Sequence, residues 1–154
     1  MLSPENLKKL EAIRGHYPDS KAALLPALWI AQEQEGWISR EMMRYLGDLL
    51  GVSYAHVLGV VTFYTMFIDK PQGKYHIEVC TNVSCLLRGS DTIVDTVRKC
   101  TGAKPGETSA DGKFTVSEVE CMGACGGAPM IAIGDEYYER LTADKLEAIL
   151  KTLA

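Results

Sequence analysis

The sequence predicts an α+β protein in which a helical first half precedes a small mixed sheet with helices on its faces. Two observations lead to this fold class. Up to residue 70, apolar residues recur at the three- and four-residue spacing of helices, whereas beyond Pro71 and Gly73 in "DKPQGKY" they alternate as in strands. We therefore expect a helical N-terminal region over residues 1–70 and a second domain over residues 73–154.

The first half is predicted to contain four helices, three of them with serine caps. Ser3, Ser39 and Ser53 each stand just before an apolar helical pattern, where a hydroxyl can accept a backbone N–H. The second helix, predicted over residues 21–35, contains Pro26. Because proline is tolerated only in the first turn of a helix, this position predicts either a kink or a later start.

The second half is predicted to alternate strands and helices. The stretches "KYHIEVC" and "FTVSEVEC" have the period of strands, and "DTIVDTVRKC" between them has the period of a helix. "PMIAIGDEYYE" predicts a hairpin that turns at Gly134-Asp135. The final stretch "TADKLEAILKTL" predicts an amphipathic helix capped by Thr142. This order suits a small mixed sheet.

Composition and charge exclude several functional classes. Of the 154 residues, 47% are hydrophobic and 23% charged, which is ordinary for a globular protein. A net charge of -4 without a basic stripe argues against a nucleic-acid partner. The longest apolar stretch, "AALLPALWIA", is about half of what a bilayer span requires, and "MLSPENLKKLEAIRG" lacks the apolar run of a signal peptide. We expect a soluble cytoplasmic protein without direct membrane insertion.

Four of the five cysteines form two pairs at the ends of predicted strands. Cys80 and Cys85 lie in "VCTNVSC", where the first strand gives way to a loop, and Cys121 and Cys125 lie in the loop after the second strand. If the two strands are neighbours, both loops leave the same edge and the four thiols can converge. In a reducing compartment, clustered cysteines are more often metal ligands than disulfides.

The spacing of the pairs favours an iron–sulfur cluster over zinc without excluding zinc. Four thiolates hold a [2Fe–2S] cluster, whereas structural zinc uses the same set with gaps that are usually tighter. A Rieske centre needs two histidine ligands, and only His76 lies near the cysteines, where we expect an ordinary sheet residue. Cys100, at the end of a predicted helix, has no partner and is expected to be a buried or partly buried free thiol.

The loop around the second pair is rich in glycine. Gly123, Gly126 and Gly127 allow the backbone to wrap closely and to direct N–H groups at sulfur, a contact that tunes the potential of a cluster. Neither a G-x-G-x-x-G pattern after a strand nor a P-loop pattern is present, and no catalytic triad can be assembled from three histidines. The pattern therefore indicates a one-electron relay that depends on a partner.

Two stretches strongly resemble a known family. "GKYHIEVCTNVSCLLRGSD" and "KPGETSADGKFTVSEVECMGACGGAPM" resemble the thioredoxin-like [2Fe–2S] ferredoxin subunit of NADH-oxidising complexes, and the helical half fits as well. The resemblance implies a helical bundle followed by a thioredoxin-like [2Fe–2S] ferredoxin domain, with a cis-proline at Pro129. It also implies that Cys80, Cys85, Cys121 and Cys125 ligate one [2Fe–2S] cluster.

The resemblance further implies an electron-transfer subunit of an NADH dehydrogenase. Respiratory NADH:quinone oxidoreductase (complex I) is the leading candidate for the host enzyme. Such a subunit docks on a larger flavoprotein that carries FMN and binds NADH, beside further iron–sulfur subunits at the cytoplasmic face of the inner membrane. It has no catalytic residue of its own, and the isolated chain should not turn over NADH. The homologous subunits of soluble NAD-linked hydrogenases, formate dehydrogenases and electron-bifurcating complexes are the main alternative. A free-standing ferredoxin and a zinc-stabilised module are weaker alternatives.

Overall fold

The computed structural model describes residues 1–153. The chain divides into two compact units, one spanning Met1–Pro71 and the other beginning at Gln72, and each has its own hydrophobic core. Within the described residues, every helix is too short or too polar to cross a bilayer.

The first unit consists of four helices whose starts follow the predicted caps. The serine hydroxyls of Ser3, Ser39 and Ser53 accept the backbone N–H three residues later at 3.2, 3.0 and 3.3 Å. These bonds satisfy N–H groups that have no carbonyl partner inside a helix. The helices are α1 (Pro4–Arg14), α2 (Leu24–Glu35), α3 (Arg40–Leu50) and α4 (Tyr54–Phe63).

Pro26 sets the start of α2 and does not kink it. A 3-10 turn, Ser20–Ala23, precedes the helix, so that Pro26 is the third residue of α2. At that position the missing N–H would have had no carbonyl partner within the helix. The later start is therefore the correct one of the two predicted outcomes.

A buried glutamine ties the segment after α4 to α2. The Gln32 side chain is 9% exposed; its Nε2 donates to the carbonyl of Met66 at 2.9 Å, and its Oε1 accepts the N–H of Ile68 at 2.7 Å. The N–H of Ile38 donates to the carbonyl of Ile68 at 2.7 Å. These bonds replace the water that this backbone would otherwise bind.

The second unit is a four-stranded mixed sheet with helices, as predicted for the α+β class. The elements are β1 (Tyr75–Cys80), α5 (Val83–Leu87), α6 (Ser90–Thr101), β2 (Phe114–Val119), β3 (Ile131–Ile133), β4 (Glu136–Tyr138) and α7 (Ala143–Leu153). The strands lie in the order β2-β1-β3-β4, with β1 parallel to β2 and antiparallel to β3. Both α5 and α6 belong to the connection between the parallel strands.

The core of this unit is formed by alternate strand residues and the apolar stripes of α6 and α7. Ile77 and Val79 on β1 are fully buried, as is Leu146 on α7, and Val97 on α6 joins the same cluster. Alternation sends neighbouring strand residues to opposite faces, so that His76, Glu78 and Cys80 occupy the other face of β1.

The hairpin and the cap of the last helix agree with the predictions. β3 and β4 pair antiparallel through the Gly134-Asp135 turn, in which Gly134 has a φ of 60°. The Oγ1 of Thr142 accepts the N–H of Lys145 at 3.3 Å at the start of α7.

Candidate metal centre

The parallel pairing of β1 and β2 brings both cysteine-bearing loops to one edge of the sheet. Cys80, the last residue of β1, is the register partner of Val119, the last residue of β2. The N–H of Thr81 extends this pairing by donating to the carbonyl of Val119 at 3.0 Å. Because the carboxyl ends of parallel strands meet at one edge, the predicted convergence of the two loops is confirmed.

The first cysteine pair is buried. Cys80 is 4% exposed and Cys85 is 2% exposed, and both pack in a small cluster with Ala128 and Met130. The N–H of Cys80 donates to the carbonyl of Met130 at 3.3 Å, which holds the end of β1 against the segment before β3.

Cys85 lies in a short helix, whereas the sequence predicted a loop. The turn of α5 begins after Asn82, whose Oδ1 accepts the N–H of Val83 at 2.7 Å. This helix places Cys85 on its buried side, and its five residues are too few for a helical period to be recognised in the sequence.

The buried thiols interact with each other. Burial is the main cause that raises the pKa of Cys85 to about 11. Hydrogen bonding with the Cys80 thiol and the nearby charge of Cys125 also raise this pKa, while the backbone of Met130 acts in the opposite direction. Burial in apolar surroundings disfavours a thiolate unless a cation compensates its charge, which is what metal ligation supplies.

The second cysteine pair lies in an exposed loop. Both Cys121 and Cys125 are exposed, and the N–H of Gly123 donates to the Cys121 sulfur at 3.3 Å. Gly123 has a φ of 72°, in the left-handed region that glycine adopts without strain, and this conformation turns its N–H toward the sulfur. The Tyr137 hydroxyl donates to the carbonyl of Met122 at 3.2 Å and ties this loop to β4.

The four cysteines are close to one edge but do not form a single-ion site. Among residues 1–153, no three His, Cys, Asp or Glu side chains are grouped so that they could hold one metal ion. Cys80 and Cys85 pack in one buried cluster, whereas Cys121 and Cys125 are exposed in the loop after β2. The donors are thus four sulfurs in two pairs, with the backbone N–H of Gly123 directed at Cys121. This donor set fits a [2Fe–2S] cluster, which four thiolates hold and which N–H···S bonds tune.

Three further predictions concern other residues of the second unit. Cys100 is exposed on the last turn of α6, so the expected burial of its thiol is wrong; the buried stripe of that helix ends at Val97. His76 is a half-buried sheet residue, as expected, with its Nε2 2.8 Å from the Ser117 hydroxyl on β2. The bond between Ala128 and Pro129 is cis, as the resemblance implied.

The sequence did not reveal the roles of Met130 and Tyr137. Met130 is 1% exposed, packs on the first pair and accepts the N–H of Cys80 at its carbonyl. Its position after Pro129 was visible, but nothing in the spacing indicated that its backbone would lie beside two sulfurs. Tyr137 lies on a strand and reaches a loop that is distant in sequence, which a local pattern does not encode.

The chain is similar over nearly its whole length to curated components of one enzyme. It is 46% identical over 152 residues to an NADH-quinone oxidoreductase subunit of Rickettsia conorii, covering 97% of this chain and 91% of that protein. It is 40% identical over 145 residues to an NADH-quinone oxidoreductase subunit of Rhizobium meliloti, covering 94% of this chain and 86% of that protein.

Solved structures and a family model agree on the fold. A structure of an NAD+-reducing [NiFe]-hydrogenase in the air-oxidized state matches with a TM-score of 0.73 and 22% identity. The match covers 84% of this chain but 22% of the hydrogenase chain, and at this identity it shows the fold alone. The family model of the thioredoxin-like [2Fe–2S] ferredoxins matches residues 10–154. This chain therefore belongs to the thioredoxin-like [2Fe–2S] ferredoxin family.

Proposed function

We propose that this chain is the electron-transfer subunit of an NADH:quinone oxidoreductase and carries one [2Fe–2S] cluster. The observation that carries the proposal is the parallel pairing of β1 and β2, which delivers two cysteine pairs to one edge of the sheet. The identity of 40% and 46% to NADH-quinone oxidoreductase subunits, over more than nine-tenths of this chain, supports the host enzyme.

The proposed ligands are Cys80, Cys85, Cys121 and Cys125. When bound, the cluster accepts and releases one electron at a time. The buried pair is shielded from water by Met130 and its apolar neighbours, whereas the second pair lies in an exposed loop. N–H groups directed at sulfur stabilise added negative charge and so raise the reduction potential of a cluster.

The proposed partner is a flavoprotein chain that holds FMN and binds NADH, together with further iron–sulfur subunits of the same complex. This chain carries no G-x-G-x-x-G or P-loop pattern, so the nucleotide chemistry is assigned to the partner. Electrons would pass singly between the flavin of the partner and the cysteine-bearing edge. The complex would hold the chain at the cytoplasmic face of the membrane.

Gentle affinity purification of the tagged chain from the native organism tests this function. A co-purifying flavoprotein with membrane-embedded, proton-pumping subunits is the expected result. A flavoprotein with a hydrogenase or formate dehydrogenase chain would assign the protein to a soluble complex, and recovery without any flavoprotein would contradict the proposal. The rigorously purified single chain should show no NADH oxidation, because its sequence carries neither of the two nucleotide-binding patterns.

A further inference from the structure

The short helix that carries Cys85 presents an exposed apolar surface. Val83, Leu86 and Leu87 are 61%, 48% and 81% exposed, while Cys85 on the same helix is buried. Scattered single apolar residues on a surface need no explanation, but three on one five-residue helix form a patch. This patch lies directly beside the first cysteine pair.

A groove with carboxylates continues from this patch. It has a volume of about 470 Å³ and runs from Thr81, which directly follows Cys80, past Leu86 and along α6 and β2. Three of its side chains are carboxylates, and none of them makes an ion pair with any residue in the described part of the chain. The lining residues are Thr81, Leu86, Asp91, Val94, Asp95 and Glu118.

We propose that this surface docks the redox partner, and that the partner presents an apolar patch bordered by lysine or arginine side chains. We call the surface formed by Val83, Leu86 and Leu87 together with the carboxylates of the groove the α5 face. The inference rests on the proposed function, because it requires an electron-transfer partner. It adds which surface is used and what charge the partner carries there.

Two features of the α5 face favour a basic partner. Apolar side chains at the centre of an interface exclude water, while charges around them steer encounter and fix orientation. Here α5 forms the apolar centre. Around it lie three carboxylates and one cationic side chain, the exposed Arg88, so that negative charge is in excess. The face also adjoins the first cysteine pair, because Thr81 follows Cys80 and α5 carries Cys85, so that a partner seated on it is brought close to those two thiols.

Other occupants fit the charge less well. A second copy of this chain, docked through the same face in a two-fold dimer, would bring together two surfaces with the same excess of negative charge. An anionic membrane surface would be repelled for the same reason. A basic surface on a different chain is the occupant that the charges complement.

The test measures binding of the full-length, cluster-loaded chain to the purified flavoprotein chain identified by co-purification. Replacing Leu87→Ser should raise the dissociation constant on the order of tenfold, mainly through faster dissociation. The matched variant Leu87→Met keeps an apolar side chain and should bind as the wild type does.

The carboxylates are tested by the salt dependence of association. The double variant Asp95→Asn/Glu118→Gln should associate several-fold more slowly at low salt and lose most of the salt dependence of its association rate. The control Asp135→Asn/Glu136→Gln removes one aspartate and one glutamate charge from the β3–β4 turn, at the other end of the sheet. This control should keep both the wild-type association rate at low salt and its salt dependence.

The outcomes separate this inference from the function on which it rests. If Leu87→Ser and the groove double variant bind like the wild type with their clusters intact, the α5 face is not the docking surface, although the proposed function stands. If Leu87→Ser instead dissociates a dimer of this chain, the occupant is a second copy and the inference is wrong. If the wild-type chain fails to bind the flavoprotein, the proposed function fails as well.

Discussion

The Gln32→Leu substitution tests whether buried hydrogen bonds hold the first unit together. The glutamine side chain is 9% exposed and satisfies two backbone groups, the carbonyl of Met66 and the N–H of Ile68. Leucine has a similar size but can make neither bond. A buried polar group left without a partner costs about 1–3 kcal/mol, and less where water can reach it. Because Met66 is itself partly exposed, we expect the free energy of unfolding to fall by about 2–3 kcal/mol.

Tryptophan fluorescence during denaturation by urea measures this loss in the first unit alone. The chain has two tryptophans, Trp29 and Trp37, and both belong to that unit. The control Gln34→Leu removes a side chain whose Oε1 accepts the N–H of Ser3 at 2.8 Å in an exposed setting, where water can replace it. The control should lower the free energy of unfolding by less than about 1 kcal/mol. Equal losses in the two variants, or no loss from Gln32→Leu, would refute the argument from burial.

Two further predictions concern the second unit. A Cβ atom at Gly73 would lie 2.8 Å from the backbone of Lys113, which cannot move without disturbing the start of β2. Gly73→Ala should therefore lower the free energy of unfolding by about 1–3 kcal/mol, as measured by circular dichroism during denaturation. Gly59→Ala, where nothing lies within 4 Å, is the control and should cost nothing. Burial lowers the pKa of His76 below its ordinary value of 6.5, and Glu78 only partly offsets the shift. The unfolded chain therefore binds the proton more readily, and stability should fall as the pH drops below 6.5; an NMR titration giving a folded pKa above 6.5 would contradict this.

The features of the site that depend on strand order were predictable from the sequence. Alternation in "KYHIEVC" and "FTVSEVEC" located both strands, and a helix between them implied a parallel crossover. Parallel strands end at the same edge, which is why the amino-acid pattern alone was enough to expect Cys80 and the loop of Cys121 near each other.

The features that depend on tertiary contacts were not predictable. The α5 helix around Cys85 has five residues, too few for a period, and its formation depends on the Asn82 cap and on burial of the thiol. The exposure of Cys100 was missed because its distance from Val97 suits the buried stripe of a helix, yet the last turn of α6 is solvated. The packing of Met130 against the first cysteine pair joins segments that are far apart in sequence, which no local pattern encodes.

The most direct test of the account is a cluster measurement on the wild type and five cysteine variants. Anaerobically purified protein should contain about two iron ions and two inorganic sulfides per chain and should show a [2Fe–2S] signal by EPR after reduction. Alanine at Cys80, Cys85, Cys121 or Cys125 should abolish the signal or make it labile, whereas Cys100→Ser should leave the signal and the iron content unchanged. Stoichiometric zinc without an EPR signal, or loss of the cluster in Cys100→Ser, would contradict the assignment of the four ligands.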